Sequence, residues 1–419
     1  MDYVIIGNSA AGIGAIEGIR KVDQEGKITV ISDEEYHTYS RPLISYYLAE
    51  QVSAEQMKYR GADFYQEYGV ETRLGDRVVK VDQDDKLLAL ESGEEINFNK
   101  LLVATGGTPF IPPITGANKD NIYTFIKLDD SKAIAQEVEE GDIKEVVILG
   151  AGLIGLKAAE ALVKLGVKVT VVELADRVLS AILDQDAAEI VQQNLEAKGI
   201  EFVLEDTIEE FSGTDRATAV KLKSGQQLKT DLAIIAVGVR PNTELVQDTE
   251  VELNRGVIVD DQLETNISGI YAAGDVSEGY DLVRGSAAVI PIWPNAYRQG
   301  LVAGQNMAGA SESYNEGFVR NSIGFFGLPM ITAGIINPEG DGYEVLSSKL
   351  LENNSYRKVV LQEGKIVGFI YLTDIDRAGI LTGLIKEEQD VSQIKEELLA
   401  DDFGYLSFSE EERRKLLWL

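Results

Sequence analysis

A glycine-rich segment in the middle of the chain has the residue types and spacing that suit phosphate binding. It follows the apolar run 146–149 and precedes a helix-compatible stretch. The first glycine permits a tight turn, the second lets the backbone approach a pyrophosphate, and the third lets the helix pack on the strand. The helix N-terminus then favours an anion. The predicted contacts are Gly150, Gly152, Leu153, Ile154 and Gly155.

A carboxylate follows the next predicted strand, the run 168–172. At this position the side chain of Glu173 is placed to accept hydrogen bonds from both ribose hydroxyls of a dinucleotide. The same negative charge would repel a 2′-phosphate, so the sequence favours NADH over NADPH. Arg177 is close enough along the chain to keep that preference open.

A second segment of this type lies at the N-terminus, between the predicted strands 3–6 and 27–31. Ser9 stands where the middle glycine is expected, and its small hydroxyl side chain can still contact a phosphate. The acid after the following strand is either Asp33 or Glu34, and the sequence does not choose between them. The predicted contacts in the glycine-rich segment are Gly7, Ser9, Ala10, Ala11 and Gly12.

The elements that must position these residues repeat along the chain. Each glycine-rich unit has a strand–loop–helix–strand pattern with continuous Val/Ile runs, which is typical of parallel strands buried on both faces. Each is followed by a further strand that ends in glycine, at Gly106 and Gly238. Short alternating stretches at 65–100 and 200–230 predict small antiparallel inserts, and the hairpin signal Glu363-Gly364 belongs to a third, α+β domain.

Composition removes several classes of chemistry. The chain has 419 residues, no cysteine, one histidine (His37) and a formal net charge of −31. It therefore has no thiol nucleophile, disulfide, cysteine-held cluster or histidine-rich metal site, and we expect no metal. The acidic surface argues against nucleic acid and anionic membranes as partners. With no leader or apolar span in view, we expect a soluble, cytoplasmic protein whose redox chemistry depends on a bound cofactor.

Two further motifs connect these units to a known family. The segment 265–275 ends in a strand followed by Gly274-Asp275, and the segment 39–48 contains Arg41-Pro42. With the two glycine-rich units in this order, the chain resembles the pyridine nucleotide-disulfide oxidoreductase superfamily, in its branch of NADH:rubredoxin, ferredoxin and nitrite reductases. The resemblance covers nearly the whole chain.

The resemblance implies an α/β fold with two Rossmann-like dinucleotide-binding domains, for FAD and NAD, and a C-terminal α+β interface domain. The expected boundaries are 1–110 and 243–316 for FAD, 111–242 for NAD and 317–419 for the interface domain. FAD and NADH are the implied cofactors. The implied FAD contacts outside the first glycine-rich segment are Asp33 or Glu34, Arg41, Pro42, Ala104, Thr105, Gly106, Gly274, Asp275 and Trp293; Gly238 is an expected cofactor contact by its pattern.

The chain departs from this family in two ways. It has no cysteine, so electrons must leave the reduced flavin directly for an external acceptor. Many relatives also have Lys at the position of Tyr46 and Glu at the position of Lys157, paired beside the flavin. We hypothesise that Lys157 stabilises negative charge on the flavin during hydride transfer, oriented by Glu160 three residues later; a solvated helix lysine is the alternative.

The predicted function is a flavoprotein NADH:acceptor oxidoreductase that passes electrons to a rubredoxin- or ferredoxin-like iron–sulfur protein. One alternative is the NADH-linked FAD subunit of an anaerobic 2-oxoacid (phenylglyoxylate-type) dehydrogenase complex. Another is a non-enzymatic, redox-responsive flavoprotein similar to apoptosis-inducing factor. We expect a homodimer or a complex subunit. The apolar end 416–419 either docks on the third domain or anchors a partner.

Overall fold

A computed structural model of the chain describes residues 1–350 and 353–416. The chain divides into two compact units. The first contains residues 1–110 and 239–319, and the second contains residues 111–238 and those from 320 onward. The boundaries of the three domains predicted from the sequence stay a prediction.

The first unit is built on a parallel five-stranded sheet of order β19-β7-β1-β2-β3. Its Val/Ile-rich strands are buried, as expected for a sheet that is covered on both faces. The strands are β1 (Asp2–Ile6), β2 (Lys27–Ser32), β3 (Val70–Leu74), β7 (Lys100–Val103) and β19 (Ile270–Ala272). Smaller sheets contain β4 (Val78–Asp82), β5 (Leu87–Leu90) and β6 (Glu95–Asn97); β8 (Gly107–Pro109) and β17 (Val239–Pro241); and β18 (Val257–Ile258), β20 (Ser277–Asp281) and β21 (Ser286–Ala288).

Two helices of this unit touch backbone to backbone. A Cβ built on Gly300 would lie 2.0 Å from the carbonyl oxygen of Ala11, and one built on Gly304 would lie 2.2 Å from that of Ala15. Gly14 and Gly18 make equivalent approaches from the other helix. Only glycine permits this separation. The helices of the unit are α1 (Ala10–Val22), α2 (Ile44–Leu48), α3 (Phe64–Glu67) and α7 (Trp293–Met307), of which α1 and α7 form this contact.

The second unit contains another parallel five-stranded sheet, of order β12-β11-β10-β16-β9. Its strands are β9 (Ile122–Tyr123), β10 (Glu145–Leu149), β11 (Lys168–Val172), β12 (Ile200–Val203) and β16 (Leu232–Ile235). The predicted antiparallel insert is confirmed here as β13 (Ile208–Ser212), β14 (Ala219–Leu222) and β15 (Gln227–Lys229). The accompanying helices are α4 (Leu128–Glu140), α5 (Leu153–Lys164) and α6 (Gln185–Glu196).

The same unit ends in an antiparallel sheet of order β22-β23-β26-β25-β24. Asp184, which caps α6, accepts hydrogen bonds from Tyr356 Oη at 2.6 Å and Lys358 Nζ at 2.9 Å. Burial alone would raise the pKa of Asp184, but these bonds hold it below its usual range. The sheet and its helices are β22 (Arg320–Phe325), β23 (Leu328–Gly334), β24 (Tyr343–Leu350), β25 (Ser355–Gln362), β26 (Lys365–Leu372), α8 (Ala378–Lys386) and α9 (Glu410–Leu416).

One local prediction for the C-terminal region is confirmed, because the Glu363-Gly364 turn joins β25 to β26. Ser409 and Glu412 form a capping box before α9. Of the predicted apolar anchor 416–419, residues 417–419 lie outside the described residues. Among the helices of the described residues, none has the length and apolarity needed to cross a bilayer.

The α1–α7 contact predicts an unequal response to the same substitution at two helical glycines. Gly300→Ala places a methyl group against the Ala11 carbonyl and should cost about 2 kcal/mol, or about 4–8 °C in Tm. Gly379→Ala on α8 is the matched control, because its Cβ would meet no atom within 4 Å. Thermal unfolding followed by circular dichroism should show a loss only for Gly300→Ala. Equal Tm values for the two variants would contradict the contact.

Candidate functional site

A polar cleft lies at the carboxyl edge of the first sheet. Glu34 is buried there and accepts hydrogen bonds from Tyr39 Oη at 2.6 Å and from the Arg41 guanidinium. Asp33 is exposed. Glu34 is thus the buried acid after β2, and which of the two carboxylates binds a ribose stays a prediction. The cleft is lined by Asn8, Ser9, Ser32, Glu34, Tyr36, His37, Tyr39 and Arg41.

Sequence reasoning missed Asn8, which organises the loop beside this cleft. Its side-chain oxygen accepts a hydrogen bond from Tyr65 Oη at 2.7 Å, and its amide nitrogen donates to the Tyr36 carbonyl at 3.2 Å. Tyr65 also packs at an angle against the His37 ring, with 4.8 Å between the centroids. Its position between Gly7 and Ser9, two predicted phosphate contacts, is the feature of the sequence that could have indicated Asn8.

The middle position of the first glycine-rich segment is open to the cleft. Ser9 is the N-cap residue of α1, but its side chain caps no backbone N–H of that helix. Its hydroxyl is therefore available to a ligand at the helix N-terminus. Position 12 requires glycine, since a Cβ there would lie 2.0 Å from the Gly7 carbonyl oxygen. Ala10 and Ala11 form the buried first turn of α1.

The loop after β19 carries a carboxylate that the chain leaves without hydrogen bonds. Burial raises the pKa of Asp275, and the positive charge of Arg41 lowers it in part, so that the pKa is about 6. Gln299 on α7 fixes this loop by accepting a hydrogen bond from the Gly274 N–H at 2.9 Å. No group of the described residues 1–350 and 353–416 donates a hydrogen bond to Asp275. Ligand hydroxyls at this place would supply the missing donors.

Other predicted contacts occupy different positions in the first unit. Thr105 Oγ1 donates to the Asn242 carbonyl at 2.7 Å, and the Asn242 N–H donates to the Gly106 carbonyl at 2.9 Å, so this turn fastens two chain segments. Trp293 packs edge-on against Tyr59 at the start of α7. Neither the buried Ala104 nor the exposed Pro42 lines the cleft. A flavin-binding role for these residues stays a prediction.

The unpaired polar atoms of the first unit fit a large polar ligand such as FAD. Buried atoms without a hydrogen-bond partner in the described part of the chain include His37 Nε2, Thr38 Oγ1, Ser45 Oγ and both amide atoms of Asn295. Unpaired buried groups of this kind cost free energy unless a ligand or water satisfies them. FAD carries hydroxyls, a pyrophosphate and ring heteroatoms that can do so, and the residues present fit it.

The second unit has a matching glycine-rich turn at the end of β10. Gly150 has a φ of 109°, and a Cβ on Gly155 would lie 2.1 Å from the Gly150 carbonyl oxygen. Gly152 differs from both, because it has a φ of −77° and a Cβ there would meet no protein atom within 4 Å. The backbone and packing do not require glycine at 152. Helix α5 begins with Leu153 and Ile154. The free space in front of its N-terminus can accommodate a pyrophosphate.

Glu173 is held in the position that the sequence predicts. Its two carboxylate oxygens accept hydrogen bonds from the Ala151 N–H at 2.6 Å and the Ala175 N–H at 2.8 Å. Each oxygen keeps a lone pair for a ribose hydroxyl. Arg177 Nη1 donates to Asp176 at 2.7 Å instead of pairing with Glu173. Gly238 follows β16 with a φ of 117°, and its contact with a cofactor stays a prediction.

Lys157 and Glu160 form an ion pair on α5, with Nζ 2.5 Å from Oε2. Glu160 also accepts from Lys164 Nζ and the Phe326 N–H, each at 3.0 Å, and Lys157 donates to the Gly324 carbonyl at 3.4 Å. Burial alone would raise the pKa of Glu160, but these bonds hold it below its usual range. The pair thus joins α5 to the β22–β23 turn. Its catalytic role stays a prediction.

Family models match these same parts of the chain. One described as pyridine nucleotide-disulphide oxidoreductase matches residues 1–300, and one described as the rubredoxin NAD+ reductase C-terminal domain matches residues 320–389. The chain belongs to the pyridine nucleotide-disulphide oxidoreductase family. The predicted family and α/β fold class are confirmed, as are the enzyme class, an NAD(P)H-dependent FAD oxidoreductase, and the cofactors FAD and NADH.

Three proteins show how this oxidoreductase relates to others of the family. It is 32% identical to a nitrite reductase [NAD(P)H] of Bacillus subtilis over 93% of this chain and 48% of that protein. It is 30% identical to the NADH-dependent phenylglyoxylate dehydrogenase subunit epsilon of Aromatoleum evansii, over 95% of this chain and 94% of that subunit. The structure of NADH:rubredoxin oxidoreductase from Clostridium acetobutylicum has a TM-score of 0.77, with 26% identity, and the match covers 94% of this chain and 97% of that one.

The chain spans about half the length of that nitrite reductase, so the activity, substrates and partners of the whole protein are proposals. The chain cannot perform the disulphide chemistry to which the family's name refers. It contains no cysteine, and hence no thiol can accept electrons from the flavin within it.

The empty space at Gly152 predicts a variant that loses affinity without losing stability. Gly152→Ala should leave Tm unchanged because no protein atom meets the added methyl group, but it should raise the Kd for NAD+ about 10-fold or more by displacing the pyrophosphate. Calorimetric titration with NAD+ measures the affinity. Gly155→Ala is the contrast, since its methyl group meets the Gly150 carbonyl and should lower Tm. An unchanged Kd for Gly152→Ala would exclude the assigned role of this turn.

Proposed function

We propose that this oxidoreductase takes hydride from NADH and delivers electrons to an external iron–sulfur or rubredoxin-like protein without a redox-active cysteine. The observation that carries the proposal is a chain with a nucleotide cradle in each of its two units and no thiol. FAD, when bound, accepts the hydride as an electron pair and releases the electrons to the acceptor. The chain's own part is to bind and orient the two nucleotides.

The residues of each cradle have defined tasks in this proposal. Glu173 binds the ribose of NADH and disfavours the 2′-phosphate of NADPH, while the α5 N-terminus holds the pyrophosphate. In the first unit, Glu34 binds the adenosine ribose and the α1 N-terminus, with Ser9, holds the FAD pyrophosphate. Asp275 accepts hydrogen bonds from ribityl hydroxyls. Hydride transfer between the rings requires no proton donor from the protein.

The similarity to one relative favours a second proposal, in which the same chemistry takes place in a multi-subunit complex. The phenylglyoxylate dehydrogenase subunit epsilon matches this chain over nearly the full length of both proteins, whereas the nitrite reductase is about twice as long as the matched region. In this reading the chain is the NADH-linked FAD subunit of an anaerobic 2-oxoacid dehydrogenase complex. The acceptor is then an iron–sulfur subunit of that complex instead of a diffusing protein.

Anaerobic reduction by NADH tests the proposal. The purified yellow protein should lose its flavin absorbance near 450 nm with one equivalent of NADH, and NADPH should act at least about 10-fold more slowly because Glu173 repels its 2′-phosphate. Reoxidation by rubredoxin and by a [2Fe–2S] ferredoxin then identifies the acceptor class. Co-elution with iron–sulfur subunits from the native source would instead favour the complex. Absorbance that NADH leaves unchanged would refute both settings.

We further propose that Lys157 stabilises negative charge on the flavin during reduction, with Glu160 as its positioning residue. The support is that Lys157 is mostly buried, with 14% of its side chain exposed, and is held at a fixed place by a buried carboxylate. A buried cation is worth more to a developing anion than one in water.

Two lysines that share Glu160 provide a matched comparison. Lys157→Met should slow flavin reduction by NADH about 10- to 100-fold, with little change in NAD+ affinity. Lys164→Met removes the other lysine of the same carboxylate, 3.0 Å from it, and should leave the rate within twofold. Stopped-flow absorbance measures both rates. Equal rates for the two variants would reduce the Lys157–Glu160 pair to a structural contact between α5 and the β22–β23 turn.

A further inference from the structure

One buried amide in the first unit makes no hydrogen bond with any described residue. Asn295 is 0% exposed, and neither its amide nitrogen nor its amide oxygen has a hydrogen-bond partner in the described residues. A buried amide that makes no hydrogen bond is costly, by about 1–3 kcal/mol for each unpaired group. A leucine would fill a similar volume without that cost, so the amide requires a partner that residues 1–350 and 353–416 do not supply.

Asn295 lies one helical turn before Gln299 on α7, so the two side chains share a face of that helix. Gln299 Oε1 accepts hydrogen bonds from the Gly274 N–H at 2.9 Å and from Ser277 Oγ at 3.3 Å. This face of α7 is therefore turned toward the loop after β19, which also carries Asp275. Asn295 and Asp275 are both polar, both largely removed from water and both without hydrogen bonds from the described part of the chain.

Sheet order tells which half of a dinucleotide would lie at this loop. β2, with Glu34 behind it, is on one side of β1, and β7 and β19 are on the other. A dinucleotide crosses the carboxyl edge of such a sheet with its pyrophosphate at the N-terminus of the first helix. If the adenosine ribose is at Glu34, the flavin half extends toward β19, and hence toward the face of α7 that carries Asn295.

We propose that the Asn295 side chain is a hydrogen-bond ligand of the flavin half of FAD. The amide donates one hydrogen bond and accepts another, so it requires a ligand that offers both an acceptor and a donor. The pyrimidine ring of the isoalloxazine does so through its carbonyls and N3–H, and the ribityl chain does so through its hydroxyls. The inference rests on the binding of FAD and is independent of the electron acceptor.

The same helix carries a buried asparagine whose role is structural, and it serves as the matched control. Asn306 donates to the carbonyls of Gln262 at 2.9 Å and Glu312 at 2.8 Å, and it accepts from the Glu312 N–H at 2.8 Å. Asn306→Leu breaks these bonds and should lower Tm while leaving FAD affinity unchanged. Asn295→Leu breaks no protein hydrogen bond, so it should leave Tm of the FAD-depleted chain unchanged or raised.

The decisive measurement is the dissociation constant of FAD, obtained by dilution of the holoprotein and detection of released FAD by fluorescence. Asn295→Leu should raise this constant about 10-fold or more, which is the effect of losing hydrogen bonds from a buried ligand. Asn306→Leu should leave it within twofold. If the leucine variant yields no folded protein, Asn295→Asp, which keeps the volume but removes the N–H donors, takes its place in the same measurement.

Reconstitution with 3-methyl-FAD separates the two parts of the flavin half, because the methyl group removes the N3–H donor. A preference of the wild-type chain for FAD that disappears in Asn295→Leu would assign the amide to the pyrimidine ring. A preference that is equal in both chains, together with the raised FAD dissociation constant, would assign it to the ribityl chain. An FAD dissociation constant within twofold of wild type in Asn295→Leu would overturn the inference, whereas a wild-type chain that binds no FAD would overturn the proposed function as well.

Discussion

The contact between α1 and α7 is the constraint on which the first unit depends. Glycines four residues apart on each helix bring the two backbones together, so the helices cannot shift past one another without steric overlap. The N-terminus of α1 is the proposed pyrophosphate site, and the first turn of α7 carries Trp293 and Asn295. Close backbone packing therefore fixes the separation between the two helix ends that border the proposed cofactor site.

Several polar groups around this site, unlike Glu34, make no hydrogen bond within the described residues. Asp275 has a raised pKa and no hydrogen-bond donor, Ser9 caps nothing, and the buried Asn295 amide has no partner within the described chain. In the second unit, the predicted ribose ligand Glu173 already has a protein partner, since it accepts a hydrogen bond from the Ala151 N–H. In the proposed FAD cradle these unsatisfied groups await the ligand, whereas in the proposed NAD cradle Glu173 is already held by backbone N–H groups.

Much of this architecture could be predicted from the sequence because its signals are local. The glycine-rich turns, the acid after β11 and the Glu363-Gly364 hairpin each occupy a few consecutive residues. The burial of Glu34 had no local signal, since it depends on Tyr39 and Arg41 after the strand has ended. The link from Lys157 to the Gly324 carbonyl crosses more than 160 residues and has no pattern in sequence. The unpaired state of Asn295 exists only in the packed structure, although the glycine spacing on α1 and α7 was visible.

The short β8–β17 ladder has a consequence for how such a chain arose. It pairs Gly107–Pro109 with Val239–Pro241, while Arg240 covers the Phe110 ring with 3.8 Å between the guanidinium carbon and the ring centroid. The polypeptide consequently leaves the first unit and returns to it at neighbouring points. An ancestor could have acquired the whole stretch between them as a cassette, in one recombination event, without breaking the original sheet. Any replacement of that cassette must also keep the hydrogen bonds of Glu160 and Asp184 to the C-terminal sheet, which belongs to the same unit.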